Sequence, residues 1–308
     1  MDEILILLAA HNGERYLKEQ IDSIVCQEDK NWRLILSDDS SSDKTRSILR
    51  HYAERYPKRI TFFDHGRQFG SPAAHFLFLI SQFSQEDAFV MFADQDDVWH
   101  SDKVATCRRA MEEAMQSYSG PLLLHTDLRV VDSELREIAP SFLRRAHLSG
   151  HSVSLSHLLI QNVVSGNTCM INPTLFRLCA EHLPSEPPVM HDWWLALIAA
   201  ATGRIVYLDR ATVDYRQHSS NRVGSKDVGS SYYLIGRLFH PVQVRYVLRE
   251  TMRQARLFGE CFDNTLARSY GELPNVSKLQ RICFVADNNI WKETPDKFLG
   301  VLGEIFFI

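Results

Sequence analysis

The sequence lacks the features that would mark a nucleic-acid-binding protein or an integral membrane protein. Its 308 residues include 34 Lys and Arg against 38 Asp and Glu, which gives a formal net charge of −4. Because phosphate binding needs a basic surface, we expect no nucleic-acid partner. Apolar runs such as residues 4–10 and 195–201 are far shorter than the roughly 20 residues of a membrane-spanning helix.

Paired cysteines and an N-terminal export signal are also missing. The six cysteines are scattered and none forms a CxxC pair, so the sequence predicts neither a zinc knuckle nor a disulfide framework. Asp2 and Glu3 stand where a signal peptide would carry basic residues. We therefore expect a cytoplasmic protein with reduced cysteines. Its 45% hydrophobic and 23% charged residues are typical of a globular chain.

Residues 4–118 alternate short apolar runs with helical patterns. The runs at 4–9, 33–37, 60–63 and 88–93 are predicted strands, and an apolar stripe at helical spacing follows each of them. Four strand–helix units in series predict an α/β fold with a mostly parallel sheet flanked by helices. Ligands bind at the carboxyl ends of the strands in such sheets, so the residues after each strand are the first site candidates.

The regular alternation fades after residue 121. Further along, the patterns predict strands at 122–125, 128–131, 205–208 and 212–215, a strand-like segment at 163–172, and helices at 193–201 and 232–262. A Ser/Gly/Asn-rich loop follows the last of these strands. We predict one catalytic domain, residues 1–225, and a helical C-terminal extension, residues 226–308.

Three carboxylates follow the fourth predicted strand, at Asp94, Asp96 and Asp97. Several carboxylates on one turn repel each other, so a cation between them would stabilise the group. Oxygen ligands suit Mg²⁺ or Mn²⁺, which also bridge to substrate phosphates. The alternative is a solvated acidic turn that caps the next helix.

Three other segments carry candidate groups. Asp38 and Asp39 follow the second predicted strand, ahead of the ordinary capping residues of the next helix. Asp192 opens an apolar helix, where it is either a cap or a general base for a hydroxyl group. His218 follows the last predicted strand. A single histidine there is commonly structural, but the adjoining polar loop is typical of a lid.

Six segments in this order resemble glycosyltransferase family 2: AAHNGERYLKEQIDSI, LSDDSSSDKT, FADQDDVW, VSGNTCMIN, HDWW and YRQHSSN. The last two resemble the bacterial rhamnosyltransferases of cell-surface polysaccharide synthesis within that family. The resemblance covers roughly residues 3–225. It implies a GT-A fold, in which a nucleotide-binding sheet merges with an acceptor-binding half. It also implies inverting transfer from a nucleoside diphosphate sugar with Mg²⁺ or Mn²⁺ as cofactor.

The resemblance assigns the donor side as follows. Ala9 and Asn12 lie beside the donor base, Asp39 contacts the base, and Asp38 assists it. Relatives often have a glycine after the two aspartates, where this chain has serine. Asp94 faces the ribose or a metal-bound water.

The metal and acceptor assignments come from the same resemblance. Asp96 is the metal ligand, with Asp97 as an alternative, and His218 reaches the metal or the diphosphate. Asp192 is the general base. The acceptor side is formed by Gly166, Asn167 and Trp193.

The subgroup favours dTDP-L-rhamnose as donor and a lipid-linked saccharide as acceptor. A UDP-hexose donor is the alternative, since Asp39 would accept the imide N–H of thymine and of uracil alike. A catalytically silent GT-A scaffold is a second alternative. An NAD dehydrogenase would need a GxGxxG loop after the first strand, and this sequence has none.

The C-terminal extension matches no catalytic motif. Its helical segment carries arginines among apolar residues, and residues 298–308 form a short apolar stretch. We expect peripheral docking on the inner face of the cytoplasmic membrane, with arginines toward anionic headgroups. Packing against the catalytic sheet or a dimer contact are the alternatives. The sequence leaves the oligomeric state open, a homo-oligomer included. The extension's arginines are Arg237, Arg245, Arg249, Arg253 and Arg256.

Overall fold

A mixed sheet forms the centre of the structure, a computed structural model that describes residues 3–218, 241–293 and Ile305. In these ranges the sheet has nine strands. Eight lie in the spatial order β3-β2-β1-β4-β8-β6-β9-β5, and β7 pairs with β6. Their bounds are β1 Ile4–Ala10, β2 Trp32–Asp38, β3 Ile60–Phe63, β4 Phe89–Ala93, β5 Val98–Trp99, β6 Leu122–Val131, β7 Glu137–Ala139, β8 Met170–Ile171 and β9 Arg204–Arg216.

The first four strands are parallel, as the strand–helix alternation predicts. β1 lies between β2 and β4, and β3 flanks β2. β1 and β4 are apolar throughout because helices cover both faces of the sheet. The carboxyl ends of β1, β2 and β4 therefore meet at one edge, where the candidate donor and metal residues follow.

The second half of the sheet is mixed. β8 runs antiparallel to both β4 and β6, β9 runs parallel to β6, and β5 runs antiparallel to β9. The two predicted strand pairs after residue 121 each merge into one long strand, with the register between β6 and β9 shifting at Asp127. The strand prediction for 163–172 is mostly wrong. Gly166–Thr168 is a 3-10 turn, and only β8 is extended.

Helices cover the sheet on two faces. One face carries α1 (Leu17–Val25), α2 (Thr45–Arg55) and α4 (Lys103–Ser117), and the other carries α3 (Pro72–Phe83), α7 (Pro173–Glu181) and α8 (His191–Thr202). Two one-turn helices, α5 (Phe142–Arg145) and α6 (Leu155–Leu158), lie between β7 and the 3-10 turn. Asp192 thus sits in the first turn of α8.

The C-terminal extension packs on the α3/α7/α8 face. It contains α9 (Pro241–Cys261), α10 (Thr265–Gly271), a 3-10 turn (Leu273–Asn275) and α11 (Lys278–Asp287). Phe258 of α9 meets Trp194 of α8 edge to face, with ring centroids 5.6 Å apart. Leu248, Met252 and Tyr270 are buried in the same core as the sheet. These contacts favour the packing alternative for this region.

Several sequence predictions fall outside the described residues. They are the polar loop at 219–231, Arg237, and the apolar stretch 298–308 apart from Ile305. Among the described helices, none combines the length and apolar character needed to cross a membrane.

Candidate active site

The turns after β1 and β2 are tied together by Asn12. Its backbone N–H donates to Ser41 Oγ at 2.9 Å, and its side-chain oxygen accepts the Ser42 N–H at 2.9 Å. Asn12 has φ 50°, a left-handed conformation that asparagine tolerates well. Asn12 therefore shapes the donor edge, beside which the resemblance places the nucleotide base.

Asp39 is buried, and backbone groups of the loop after β3 already bind its carboxylate. The Phe69 N–H donates to one oxygen, and the Gly70 N–H donates to the other at 2.9 Å. A carboxylate has about four lone-pair positions, so it can accept a further imide N–H. Asp38 is also buried and accepts the Ser41 hydroxyl at 2.5 Å. The predicted base contact of Asp39 stays a prediction.

Sequence reasoning missed two histidines beneath this loop. Ser37 Oγ lies 2.6 Å from His75 Nε2 and 3.0 Å from His65 Nε2. The Phe69 ring stacks on the His75 ring with centroids 5.0 Å apart. Burial lowers the pKa of His75 to about 4, so the ring is neutral at pH 7. No local motif marks these residues, because the contact joins β2, α3 and the loop between β3 and α3.

Asp94 and Asp96 form the acidic part of the site. Burial raises the pKa of Asp94, and the negative charges of Asp96 and Asp192 raise it further. His218 Nε2 lies 2.8 Å from Asp96 Oδ2. The His218 ring packs on Tyr16, with centroids 5.0 Å apart. The structure thus brings Asp94, Asp96, Asp192 and His218 into one neighbourhood, as the sequence predicts.

Asp97 is unsuited to the role of alternative metal ligand. It is fully buried, and its carboxylate accepts hydrogen bonds from Asn167 Nδ2 and from the Arg216 backbone N–H. Burial is the main cause that raises its pKa well above the usual range. Asn167 is also buried, and its side-chain amide donates to Asp97, so its place on the acceptor side stays a prediction.

Arg216 is a further residue that sequence reasoning missed. Its side chain is 2% exposed. Nε donates to the Asp96 carbonyl at 2.9 Å, Nη1 donates to the Ser133 carbonyl at 2.6 Å, and Nη2 pairs with Glu19. The guanidinium lies over the Tyr16 ring, 4.3 Å from its centroid. Arg216 therefore fixes the turn that presents Asp96.

Asp192 lies in the first turn of α8 and does not occupy its N-cap position. Hydrogen bonds to its carboxylate hold the side chain in place. It accepts the Gly166 N–H at 2.9 Å, the Trp193 N–H at 2.6 Å and the Asn162 amide at 3.3 Å. Burial raises its pKa to about 6, against the opposing effect of the backbone hydrogen bonds. A carboxylate with this pKa is ionised at pH 7 yet basic enough to accept a proton. Asn162 is a positioning residue that the sequence did not reveal.

Gly166 permits the close approach of the 3-10 turn to α8. A Cβ at this position would lie 2.6 Å from His191 Nε2. His191 is buried against the Phe76 ring, at a centroid distance of 4.1 Å, and burial lowers its pKa to about 3. Trp193 is also buried and donates from Nε1 to the Leu158 carbonyl at 2.5 Å. Its indole therefore anchors α8, and its predicted acceptor contact is untested.

The carboxylates fit a divalent cation that is coordinated partly by the protein and partly by the bound substrate. The described residues contain no group of three or more His, Cys, Asp or Glu side chains placed to hold a metal ion. Mg²⁺ commonly binds one or two carboxylates, waters and substrate phosphates instead of a closed protein cage. Asp96 with His218 supplies such a partial set. Burial is the main cause of the raised pKa of Asp94, and the negative charges of Asp96 and Asp192, which a cation would offset, add to it.

Residues 5–151 match the family model described as glycosyl transferase family 2. This segment of the chain is therefore similar to glycosyltransferase family 2. The matched segment runs from β1 through β7 and includes Asp39, Asp94 and Asp96. Asp192 and His218 lie beyond it, so their assignment depends on the geometry described above.

Two relatives are similar to much of this chain at low identity. The dTDP-rhamnosyl transferase RfbG of Shigella flexneri is 27% identical over 225 residues, which cover 71% of this chain and 74% of the relative. WfgD of Escherichia coli, a UDP-Glc:alpha-D-GlcNAc-diphosphoundecaprenol beta-1,3-glucosyltransferase, is 28% identical and covers 88% of this chain and 91% of its own.

Solved structures confirm the GT-A fold of the chain. Staphylococcus aureus TarS, residues 1–349 in complex with UDP, superposes with a TM-score of 0.54 at 16% identity, covering 93% of this chain and 80% of that one. GalNAc-T7, determined with UDP, GalNAc and Mn²⁺, gives a TM-score of 0.54 at 12% identity over 94% of this chain and 55% of that one.

Proposed function

We propose that the protein is an inverting, metal-dependent glycosyltransferase. It transfers L-rhamnose from dTDP-L-rhamnose to a hydroxyl group of a growing, lipid-linked bacterial surface polysaccharide. One observation carries this proposal: carboxylates from the two halves of the fold lie close together. The donor-edge residue Asp94, a neighbour of Asp96, lies close enough to Asp192 for the Asp192 charge to act on it.

Asp192 acts as the general base. Gly166 and Trp193 N–H groups hold its carboxylate at the start of α8, and its raised pKa suits removal of a proton from the acceptor hydroxyl. Deprotonation can occur late, because the transition state at the anomeric carbon has oxocarbenium character. Asp192 therefore needs to accept the proton only as the new bond forms.

Asp96 and His218 hold the divalent cation, and Arg216 fixes the turn that carries Asp96. A bound Mg²⁺ or Mn²⁺ supplies Lewis-acid stabilisation of the charge that develops on the leaving nucleoside diphosphate. Asp94, whose pKa is raised by burial and by the negative charges of Asp96 and Asp192, would face the ribose or the cation.

A single displacement inverts the anomeric centre and needs no covalent nucleophile. Cys169 lies near the site but is fully buried, and burial raises the pKa of its thiol well above the usual range. It is therefore unsuited to nucleophilic attack. A β-L-rhamnose nucleotide gives an α-linked product by this route.

The donor assignment is supported by the similarity to the Shigella dTDP-rhamnosyl transferase. The E. coli relative, whose name gives UDP-Glc as donor, matches more of the chain and supports the alternative of a UDP-hexose. The same name describes a diphosphoundecaprenol-linked acceptor, which supports a lipid-linked acceptor for this chain.

A donor panel with the purified protein tests the proposal. Thermal shift and donor hydrolysis are measured with dTDP-L-rhamnose, UDP-glucose, UDP-GlcNAc and GDP-mannose, each with Mn²⁺ and with EDTA. We expect the largest Mn²⁺-dependent shift and hydrolysis with dTDP-L-rhamnose. A preference for a UDP sugar would refute the donor and keep the transferase. Binding without hydrolysis of any donor would favour a catalytically silent scaffold.

A further inference from the structure

An open cavity lies beside β7 and α5. Its volume is about 330 Å³. It is lined by Ala139, Pro140, Ser141, Arg144, Arg145 and His147. None of these residues belongs to the proposed donor, metal or general-base set, and three of the six side chains are basic.

The cavity carries a guanidinium group that the protein does not satisfy. Among the described residues, no side chain or carbonyl accepts a hydrogen bond from Arg145, and its Nε is shielded from water. A shielded donor without an acceptor costs free energy of folding. Arg144 makes one long contact, 3.4 Å to Asp209, and both side chains are largely exposed. Arg145 also lines the open cavity, so the part of its guanidinium that faces the cavity can donate to an anion that enters it.

The nearest buried acid does not neutralise these arginines. Asp127 accepts the Ser141 hydroxyl at 2.5 Å, the Leu128 N–H at 2.7 Å and the Leu143 N–H at 3.2 Å. Its carboxylate is thus turned toward neutral donors under the cavity floor. Guanidinium groups bind phosphate oxygens with paired hydrogen bonds, so two arginines on one cavity favour a phosphate-like ligand.

The cavity is structurally joined to the proposed site. β7 pairs with the end of β6 at Val130 and Val131. The next residues lead to Ser133, whose carbonyl accepts Arg216 Nη1, and Arg216 holds the Asp96 turn. The cavity and the metal turn therefore lie at neighbouring positions along the same sheet edge. An acceptor with its reacting hydroxyl at Asp192 could extend toward the cavity with its other end.

We propose that this cavity binds a diphosphate group through Arg145 and Arg144, and that its ligand is the diphosphate of the lipid-linked acceptor. The second part depends on the proposed function, whereas the anion site itself does not. The same oxygen chemistry occurs in phospholipid headgroups, and the experiment below separates the two sources.

Inorganic pyrophosphate is the probe for the anion site. Its binding to the full-length protein is measured by titration calorimetry in EDTA, where the acidic donor edge repels anions. We expect one site in the wild type and a loss of affinity of about tenfold or more in Arg145→Gln, because a charge-assisted hydrogen bond is removed. Arg144→Gln should weaken binding in the same direction.

Arg109→Gln is the matched control, since Arg109 is an exposed arginine on α4 that does not line the cavity. It should bind pyrophosphate as the wild type does. Thermal unfolding shows whether each variant is folded. Absent binding in the wild type, or equal affinity in the wild type and a folded Arg145→Gln, would overturn the anion site.

Vesicle sedimentation separates the two phosphate sources. Wild type and Arg145→Gln should pellet equally with vesicles of phosphatidylcholine and phosphatidylglycerol. Selective loss of pelleting in Arg145→Gln, with pyrophosphate affinity unchanged, would assign the arginine to lipid headgroups and refute the proposal. Arginine-dependent pyrophosphate binding without hydrolysis of any nucleotide sugar would keep the site and reject the proposed function.

Discussion

The proposed role of Asp192 as general base depends on the hydrogen bonds that orient its carboxylate. Asp192 has three hydrogen-bond donors around it, two of them backbone N–H groups. We expect Asp192→Asn to lower turnover by a factor of about 100 or more, which is typical of losing a positioned base. Donor affinity should be unchanged because Asp192 serves the acceptor side. Steady-state kinetics and calorimetry with donor measure the two quantities.

The exposed Asp87 provides the control for this substitution. Asp87→Asn should keep wild-type turnover, since its side chain lies outside the site. If Asp192→Asn weakened donor binding as much as turnover, Asp192 would be a structural residue or a metal ligand.

The pH dependence of turnover follows from the same carboxyl group. Burial raises the pKa of Asp192 to about 6, and only the ionised form can accept a proton. Turnover should therefore be constant near pH 8 and fall as the pH drops through about 6, approaching a tenfold loss for each further pH unit. A profile of kcat at saturating donor and Mn²⁺ measures this. A flat profile down to pH 4.5 would contradict the assignment.

Asp96 and Asp97 are adjacent but should behave differently. Asp96→Asn removes a ligand charge at a partly exposed position, so transfer should be lost while the thermal unfolding temperature changes little. Activity at saturating Mn²⁺ and a thermal scan check both parts. Near wild-type turnover in this variant would disprove the ligand assignment.

At the scale of secondary-structure elements, Asp97 joins three segments. It lies between β4 and β5, and it accepts hydrogen bonds from the Gly166–Thr168 turn and from the end of β9. Asp97→Ala leaves the buried Asn167 amide and the Arg216 N–H without their acceptor. We expect a loss of about 1–3 kcal/mol in the free energy of unfolding, because each unpaired buried donor is costly.

Denaturant unfolding measures this loss, and Asp96→Ala is the neighbouring control. Stability equal to the wild type in Asp97→Ala would show that the three segments are held by other contacts.

At the scale of the whole molecule, the extension combines core packing with an exposed basic surface. Leu248 and Met252 of α9 are buried, whereas Tyr246 and Val247 are 64% and 48% exposed. Arg245 and Arg249 are exposed beside them, while Arg253 pairs with Glu186 and Glu250. The predicted membrane surface is therefore smaller than the sequence pattern suggests, because much of the apolar stripe faces the protein.

Membrane docking of this surface stays a prediction. The full chain should pellet with anionic vesicles and be released by salt, and Arg245→Glu should weaken pelleting. Arg109→Glu, on the opposite face of the sheet, should not. Removing the extension is a poorer test, since it would uncover Trp194 and its neighbours. Equal pelleting of both variants would restrict the extension to packing or assembly.

Local sequence was sufficient to predict the parallel strands and the acidic turns at their ends. Continuous apolar runs such as β1 indicate buried strands, and the carboxyl ends of such strands fix where ligands bind. The same reasoning proposed Asp96, Asp192 and His218 as site residues. The structure places His218 against Asp96, and the roles of all three residues stay predictions. Local pattern failed at 163–172, where Asp192 and Asp97 bind the 3-10 turn from two sides and hold it out of the sheet.

The sequence by itself determined the order of the parallel strands along the chain, the family resemblance and the candidate carboxylates, because each is encoded in short segments. Only the tertiary structure showed that Asp97 is internal, that Arg216 supports Asp96 and that Arg145 has no acceptor among the described residues. The Asp97–Arg216 contact joins residues 119 positions apart. Burial and pairing over such distances depend on which surfaces pack together, and a local pattern does not contain that information.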